Sequence, residues 1–219
     1  MGNILEPTIL AKRELCAIYG SSDFEIAIEL PGLPLTGLYC QESAEDMGSG
    51  LDQRLLICTN CGHAQLDEKV APGVLYDVSY NFRSSASAIG RQGTEFFVAT
   101  LDEIAGKKKF NCILDIGCND LYLLKQLKGR GNLRVGSDPI WASIEDQRDD
   151  KSIIVSGTTI EDTKFDSILE APPDLIVCRH VLEHIYEPRA VLRKLLDVAA
   201  DDALFLFEVP SFEELVECL

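Results

Sequence analysis

Basic charge is scarce in this chain. Against 36 Asp and Glu there are 20 Lys and Arg over 219 residues, giving a net charge of −16 and an isoelectric point near 4.5. A nucleic-acid binder normally presents a basic face, so that partner class is excluded. Attraction to anionic lipid surfaces is excluded on the same ground. An apolar run of the roughly 18 residues that a membrane helix needs is missing. The N-terminus, Met1-Gly2-Asn3-Ile4-Leu5-Glu6-Pro7, lacks the basic-then-apolar order of a secretion signal. Glu6 also stands where a myristoylated Gly2 would require Ser or Thr. These absences lead to the expectation of a cytoplasmic protein with a solvated acidic surface. In a reducing compartment the eight cysteines are metal ligands or buried thiols before they are disulfides.

The dinucleotide glycine pattern is absent as well, because Gly117-Cys118-Asn119 lacks the second glycine of G-x-G-x-x-G. What stands there is still a strand, a turn and a helix start. Cys112–Ile116 reads as a buried strand ending on Asp115. Gly117 makes the turn, and a helix opens at Asn119 or Asp120, carrying Leu121, Leu123, Leu124 and Leu127 at helical spacing before Gly129. Helix-start N–H groups that point outward favour anionic groups, and a missing side chain at Gly117 lets a ligand approach the backbone. Arg134-Val135-Gly136-Ser137-Asp138-Pro139 closes the next strand on an acid 23 positions after Asp115. A carboxylate at about that distance from the turn accepts two hydrogen bonds from a ribose diol.

Downstream the pattern alternates: strands at Leu133–Ser137, Ile153–Val155, Asp174–Cys178 and Ala203–Val209, with helices at Trp141–Arg148 and Pro188–Ala200. A helix over Thr94–Ala105, capped by Thr94, precedes the first strand, with Phe97, Leu101 and Ile104 on one stripe. Apolar strands alternating with helices mean a parallel sheet covered on both faces, with ligands beyond the carboxyl ends of its strands.

Asp115-x-Gly117-x-Asn119-Asp120, then Gly136-x-Asp138-Pro139, then Arg179-His180-Val181-Leu182-Glu183-His184-Ile185 together resemble a class I S-adenosylmethionine-dependent methyltransferase. More narrowly, the chain is similar to the sugar C-methyltransferases that carry a small zinc-binding domain in front, over about Cys16 to the C-terminus. The resemblance implies an α/β, Rossmann-like core over residues 79–219, preceded by a small β-rich zinc-binding domain over residues 1–78. It implies S-adenosylmethionine as cofactor, bound by Asp115, Gly117, Cys118, Asn119, Asp138, Pro139 and Arg179, with Thr158–Glu161 bordering the adenine. It also implies a small-molecule acceptor, a nucleotide-linked sugar or related glycan precursor. In the family, glycine usually follows Asn-Asp; here Leu121 stands there, either crowding the methionine end of the cofactor or starting the apolar face of the helix.

The front of the chain carries short apolar runs between turn formers, and a domain so small wants a staple. Cys58-Thr59-Asn60-Cys61-Gly62 is half of one, a knuckle that turns two thiolates to one point. By resemblance the other pair falls at Cys16 and position 19, which is Tyr19 here. Cys16, Cys58 and Cys61 are therefore the expected Zn2+ ligands, with Cys40 or His63 as a fourth; the rival reading is a set of reduced cysteines without metal. Either way the role is structural, since a closed thiolate tetrahedron leaves no position for chemistry.

Tyr80 matches the aromatic of the segment that leads into the family's active site. His180 and His184 are four apart and share one face if their segment is helical. The metalloprotease pattern needs Glu directly after the first His, and Val181 is there. His180, His184 and Tyr80 are the candidate catalytic residues, for proton handling or orientation of the acceptor. The family's main base lies shortly after the fifth strand, beyond the extent of this sequence. The expectation is therefore a fragment, a chain completed by an oligomer or partner that covers the fifth-strand edge, or a cofactor-binding subunit without turnover of its own.

Overall fold

The computed structural model describes residues 9–33, 50–70, 83–142, 150 and 152–211. Tyr80 and Cys40 lie outside the described residues. The chain divides into two compact units: residues 1–81 with 186–189, and residues 82–185 with 190–219.

The front unit is built from strands. β2 (Phe24–Leu33), β3 (Leu51–Cys58) and β4 (Ala64–Leu66) form an antiparallel sheet, and β1 (Ile9–Lys12) pairs antiparallel with β5 (Glu68–Val70). Among the described residues its buried apolar side chains are Cys16, Leu56, Cys58 and Val70. Buried polar side chains fix the loops instead. Asp67, 4 % exposed, accepts from the Arg54 backbone at 2.8 Å and from Arg54 Nε at 2.7 Å. Gln65 brackets Cys16, accepting from Ala17 N at 2.9 Å and donating to Leu15 O at 3.2 Å.

The second unit is a five-stranded parallel sheet in the order β10-β9-β6-β7-β8, formed by β6 (Phe110–Ile116), β7 (Gly131–Ser137), β8 (Ile153–Ser156), β9 (Leu175–Arg179) and β10 (Leu204–Glu208). This is a Rossmann-like arrangement. The strand order reverses at β6, so a crevice opens between the carboxyl ends of β6 and β9. The period of two places alternate residues on opposite faces. Ile113, Leu175 and Val177 pack with Phe97 and Leu101 of α1 (Ala88–Ala105) and with Leu123 and Leu124 of α2 (Tyr122–Gln126). Cys112, Leu114, Ile116 and Ile176 pack on the other face with Val191 and Leu195 of α3 (Pro188–Val198). Each such buried aliphatic side chain contributes about 1.5–3 kcal/mol.

Three boundaries differ from the sequence reading. α1 begins at Ala88, not at Thr94, and its cap is Ser87, whose hydroxyl accepts from Gly90 N at 2.9 Å. Gly90 and Gly93 weaken the local helical signal; yet a Cβ on Gly90 would come within 2.3 Å of Ser84 O, so the close approach of that carbonyl demands glycine. Thr94 lies inside the helix with its hydroxyl on Gly90 O, and Ile104 is exposed. After β7 there is a 3-10 turn over Pro139–Ala142, whereas residues 143–149 of the expected helix lie outside the described residues. α2 has only five residues and starts at Tyr122.

Candidate functional site

The turn after β6 is built from left-handed residues. Gly117 has φ +72°, Asn119 φ +42° and Leu121 φ +65°. Such conformations suit glycine and cost other residues of order 1–3 kcal/mol. Leu121 is 1 % exposed within the apolar cluster above the sheet. Of the two readings at this position, the structure shows the apolar one: the side chain fills the core and the backbone carries the strain.

The N–H groups of this turn do not point outward. Gly117 N and Cys118 N donate to Ser137 O at 2.8 and 3.3 Å, and Asn119 N donates to Asp138 at 2.9 Å. Leu121 N donates to Cys118 O at 2.8 Å and Tyr122 N to Asp120 at 3.3 Å. With a helix so short and its entry so engaged, the expected anion cradle gives way to a turn bolted to the tip of β7. The space beside Gly117 is also filled: a Cβ there would lie 2.2 Å from a methyl of Val181. Cys118 is buried against Gly136, where a Cβ would meet its sulfur at 2.5 Å. Burial and the neighbouring Asp115 and Asp138 push its thiol well above the usual range.

Asp138 is the bolt. One carboxylate oxygen accepts from Asn119 N at 2.9 Å and the other from Ile140 N at 3.0 Å. A carboxylate has about four acceptor directions, so each oxygen keeps one for a ligand. Burial raises the Asp138 pKa, with the two amides and Arg83 opposing. Pro139 opens the 3-10 turn, in which Trp141 Nε1 donates to Asn119 O at 2.7 Å. A Cβ on Gly157 would meet Ala142 N at 2.5 Å, so the loop after β8 packs tightly here. Hydroxyls fix that loop: Ser137 Oγ donates to Thr158 O at 2.9 Å and lies 2.6 Å from Thr163 Oγ1.

Asp115, one residue before the end of β6, is 2 % exposed, and its Oδ2 has no hydrogen-bond partner among the described residues. Burial pushes its pKa up to about 8, against the pull of Arg179 and with a further push from Asp138. A buried acceptor without a donor is rare in a folded protein, and this oxygen has acceptor capacity that a ligand could use.

The tips of β9 and β10 carry the remaining cluster. Arg179 Nε and Nη2 donate to the two carboxylate oxygens of Glu208 at 2.9 and 3.1 Å. Its Nη1 donates to Thr94 Oγ1 at 3.0 Å, and the guanidinium stacks 4.8 Å from the centre of the Phe97 ring. The guanidinium is therefore spent on protein partners. Burial raises the Glu208 pKa, but Arg179 and His180 outweigh it and hold the carboxyl below its ordinary range. His180 Nε2 stands 2.7 Å from Glu208 Oε1. His180 has φ +53°, and only Leu182–His184 forms a 3-10 turn, so the two histidines do not share a helical face. They flank Glu183 instead, 3.9 Å from His180 Nδ1 and 3.8 Å from His184 Nε2. Both imidazoles are about half exposed.

Sequence reasoning missed Glu208. Its partner is set by register, which pairs it with Arg179 across two parallel strands; the only sequence signal is an acid at the end of the last apolar strand.

In the front unit the thiol sulfurs of Cys16, Cys58 and Cys61 lie within 4.8 Å of one another, with Cys16 and Cys61 3.7 Å apart. A tetrahedral zinc with bonds of about 2.3 Å needs sulfurs about 3.8 Å apart. The donor set thus fits a soft cation in kind and spacing. His63 does not join the cluster, so among the described residues no fourth His, Cys, Asp or Glu ligand does. Burial raises the Cys16 pKa, yet the amides of Tyr19 and Ile18 and the neighbouring thiols bring it below the ordinary value.

A family model described as "Methyltransferase domain" matches residues 89–216. Among solved structures, the plantazolicin methyltransferase BpumL, in complex with a pentazolic desmethylPZN analogue and SAH, is 18 % identical with a TM-score of 0.46, over 59 % of this chain and 51 % of that one. The N-methyltransferase NodS from Bradyrhizobium japonicum WM9 with S-adenosyl-L-homocysteine is 15 % identical with a TM-score of 0.47, over 62 % and 68 %. A DhpI–SAM–HEP complex is 15 % identical with a TM-score of 0.47, over 62 % and 63 %. The match spans about half the length of the plantazolicin enzyme. No curated protein matches this chain.

Proposed function

The chain belongs to the methyltransferase-domain family, and we propose that it transfers the methyl group of S-adenosylmethionine to carbon in a nucleotide-linked keto-deoxysugar or a related glycan precursor. The observation that carries this reading is the pair of incompletely used carboxylates at one strand-end crevice. Asp115 has an oxygen with no donor, and Asp138 has acceptor capacity on both oxygens. In this proposal Asp138 takes the ribose hydroxyls, and Asp115 faces the cationic part of the donor. Gly117, Cys118, Asn119 and Pro139 shape the pocket, and Arg179 acts on it through Glu208 and Asp115. S-adenosylmethionine supplies an electrophilic methyl group when bound.

The protein's task is then to align acceptor and methyl carbon and to take a proton from the acceptor. His180, which follows β9, is the proton acceptor in this reading, with Glu208 2.7 Å from its Nε2 fixing the ring. His184 and Tyr80 orient the substrate. The narrower sugar assignment rests on the resemblance of the sequence motifs. Zn2+ in the front unit has a structural role, and the protein is placed in the cytoplasm. The edge position of β10 among the described residues favours one second reading, a cofactor-binding chain that needs an oligomer or partner along that edge for turnover.

Titration calorimetry with S-adenosylmethionine, followed by a mass-spectrometric search for methylated product on nucleotide-linked keto sugars, tests both. Binding with product formation supports the enzyme, and binding without product supports the subunit. Absence of binding removes both readings.

A further inference from the structure

The loop that carries Cys16 and the loop that carries Cys58 repeat the same backbone scheme. In the second, Cys58 N donates to His63 O at 2.9 Å and Gly62 N donates to Cys58 O at 2.8 Å, with Gly62 at φ +74°. In the first, Cys16 N donates to Ser21 O at 2.8 Å and Gly20 N donates to Cys16 O at 2.8 Å, with Gly20 at φ +83°. The offsets are identical: a cysteine, a left-handed glycine four residues on, and a closing carbonyl five residues on. At the third offset the second loop has Cys61, whose thiol joins the cluster, and the first has Tyr19. Tyr19 N donates to Cys16 Sγ at 3.3 Å, so the backbone has the shape of a metal knuckle without the second thiol. The Tyr19 side chain is 58 % exposed and does not bury itself over the sulfurs. A phenol is also a poor ligand for a soft cation beside thiolates.

We infer that this is a three-thiolate centre for a soft divalent cation, with its fourth coordination position open on the Tyr19 side and filled by an exchangeable ligand from solution. The inference rests on the zinc reading above and sharpens it. Three thiolates supply one face of a tetrahedron, and the fourth vertex falls where the first loop fails to deliver sulfur. Gln65, bracketing Cys16 through the Leu15 carbonyl and the Ala17 amide, keeps that loop in place without a fourth anchor. An open position gives an incoming ligand a place to attack the ion, so the ion exchanges faster than from a closed four-thiolate staple.

Cobalt(II) titration of the full chain reads the donor set directly. The expected spectrum has the charge-transfer intensity of three thiolates and the ligand-field bands of a mixed sulfur and oxygen site, and these bands shift on adding a small thiol. Tyr19→Cys is expected to give the four-thiolate spectrum without added thiol, and to slow zinc transfer to a chromogenic chelator by about tenfold or more. Cys40→Ala is expected to leave the wild-type spectrum unchanged. A four-thiolate spectrum in the wild type, or loss of a thiolate in Cys40→Ala, overturns the open position and leaves the zinc reading standing. Absence of cobalt and zinc uptake by the wild type overturns both. The added-thiol shift needs only the wild-type chain, so the inference stays testable if Tyr19→Cys does not fold.

Discussion

Glu208 and Arg179 end adjacent parallel strands in exact register and meet through two hydrogen bonds, at 2.9 and 3.1 Å. The pair does more than close the sheet edge, because the same carboxylate lies 2.7 Å from His180 Nε2. One side chain thus neutralises a guanidinium at the crevice and sets the ring of the proposed proton acceptor.

Glu208→Gln should cost about 1–2 kcal/mol of stability, since it leaves a half-buried guanidinium with a neutral partner. The Glu208 pKa is held below its ordinary 4.5. Its contribution is therefore complete above that value and disappears as pH falls through the lowered one. Urea unfolding of both proteins across this acid range should show the wild-type advantage vanishing at the bottom of it. Equal stabilities at neutral pH would remove the pair as a stabilising contact.

Asp115 works in the opposite direction. Its folded pKa of about 8 lies above the ordinary 3.8, so the folded chain holds a proton that the unfolded chain releases. Stability then falls as pH rises between those values, with a slope of at most about 1.4 kcal/mol per pH unit. Asp115→Asn should flatten that slope and be the more stable protein at alkaline pH. Melting temperatures measured from acid to alkaline buffer decide it, and parallel profiles for the two proteins would refute the shift.

Asp138→Ala should weaken binding of S-adenosylhomocysteine by roughly 10- to 100-fold, the usual worth of a charge-assisted pair of hydrogen bonds. The same change frees Asn119 N and Ile140 N, so the turn should also lose protection in amide hydrogen exchange. Unchanged affinity by calorimetry would take Asp138 out of the ligand site.

Leu121→Gly sets two effects against each other. Relief of the left-handed backbone returns about 1–2 kcal/mol, and emptying the core position costs about 2–5 kcal/mol. The balance is a net loss of up to about 4 kcal/mol, read by chemical denaturation. A more stable variant would mean that strain outweighs packing at this position.

The sheet was legible in the sequence because strands buried on both faces read as unbroken apolar runs, as at Cys112–Leu114 and Leu175–Cys178. Gly117 and Asp138 were visible because a tight turn and an acid at a strand tip are local signals. The start of α1 was hidden by Gly90 and Gly93; the reason for glycine at Gly90 lies in the Ser84 carbonyl that the fold brings close. Glu208 was hidden because its meaning depends on register with Arg179, 29 residues earlier. The pairing of the Cys16 and Cys58 loops was anticipated by resemblance, with cysteine and glycine at the same offset in both; their shared backbone hydrogen bonds came only with the structure.

Val181 sits in the volume that a side chain on Gly117 would occupy, and it is the covalent neighbour of His180. A molecule settling against the glycine meets that methyl first, so the width of the seat is set by how the valine side chain is turned.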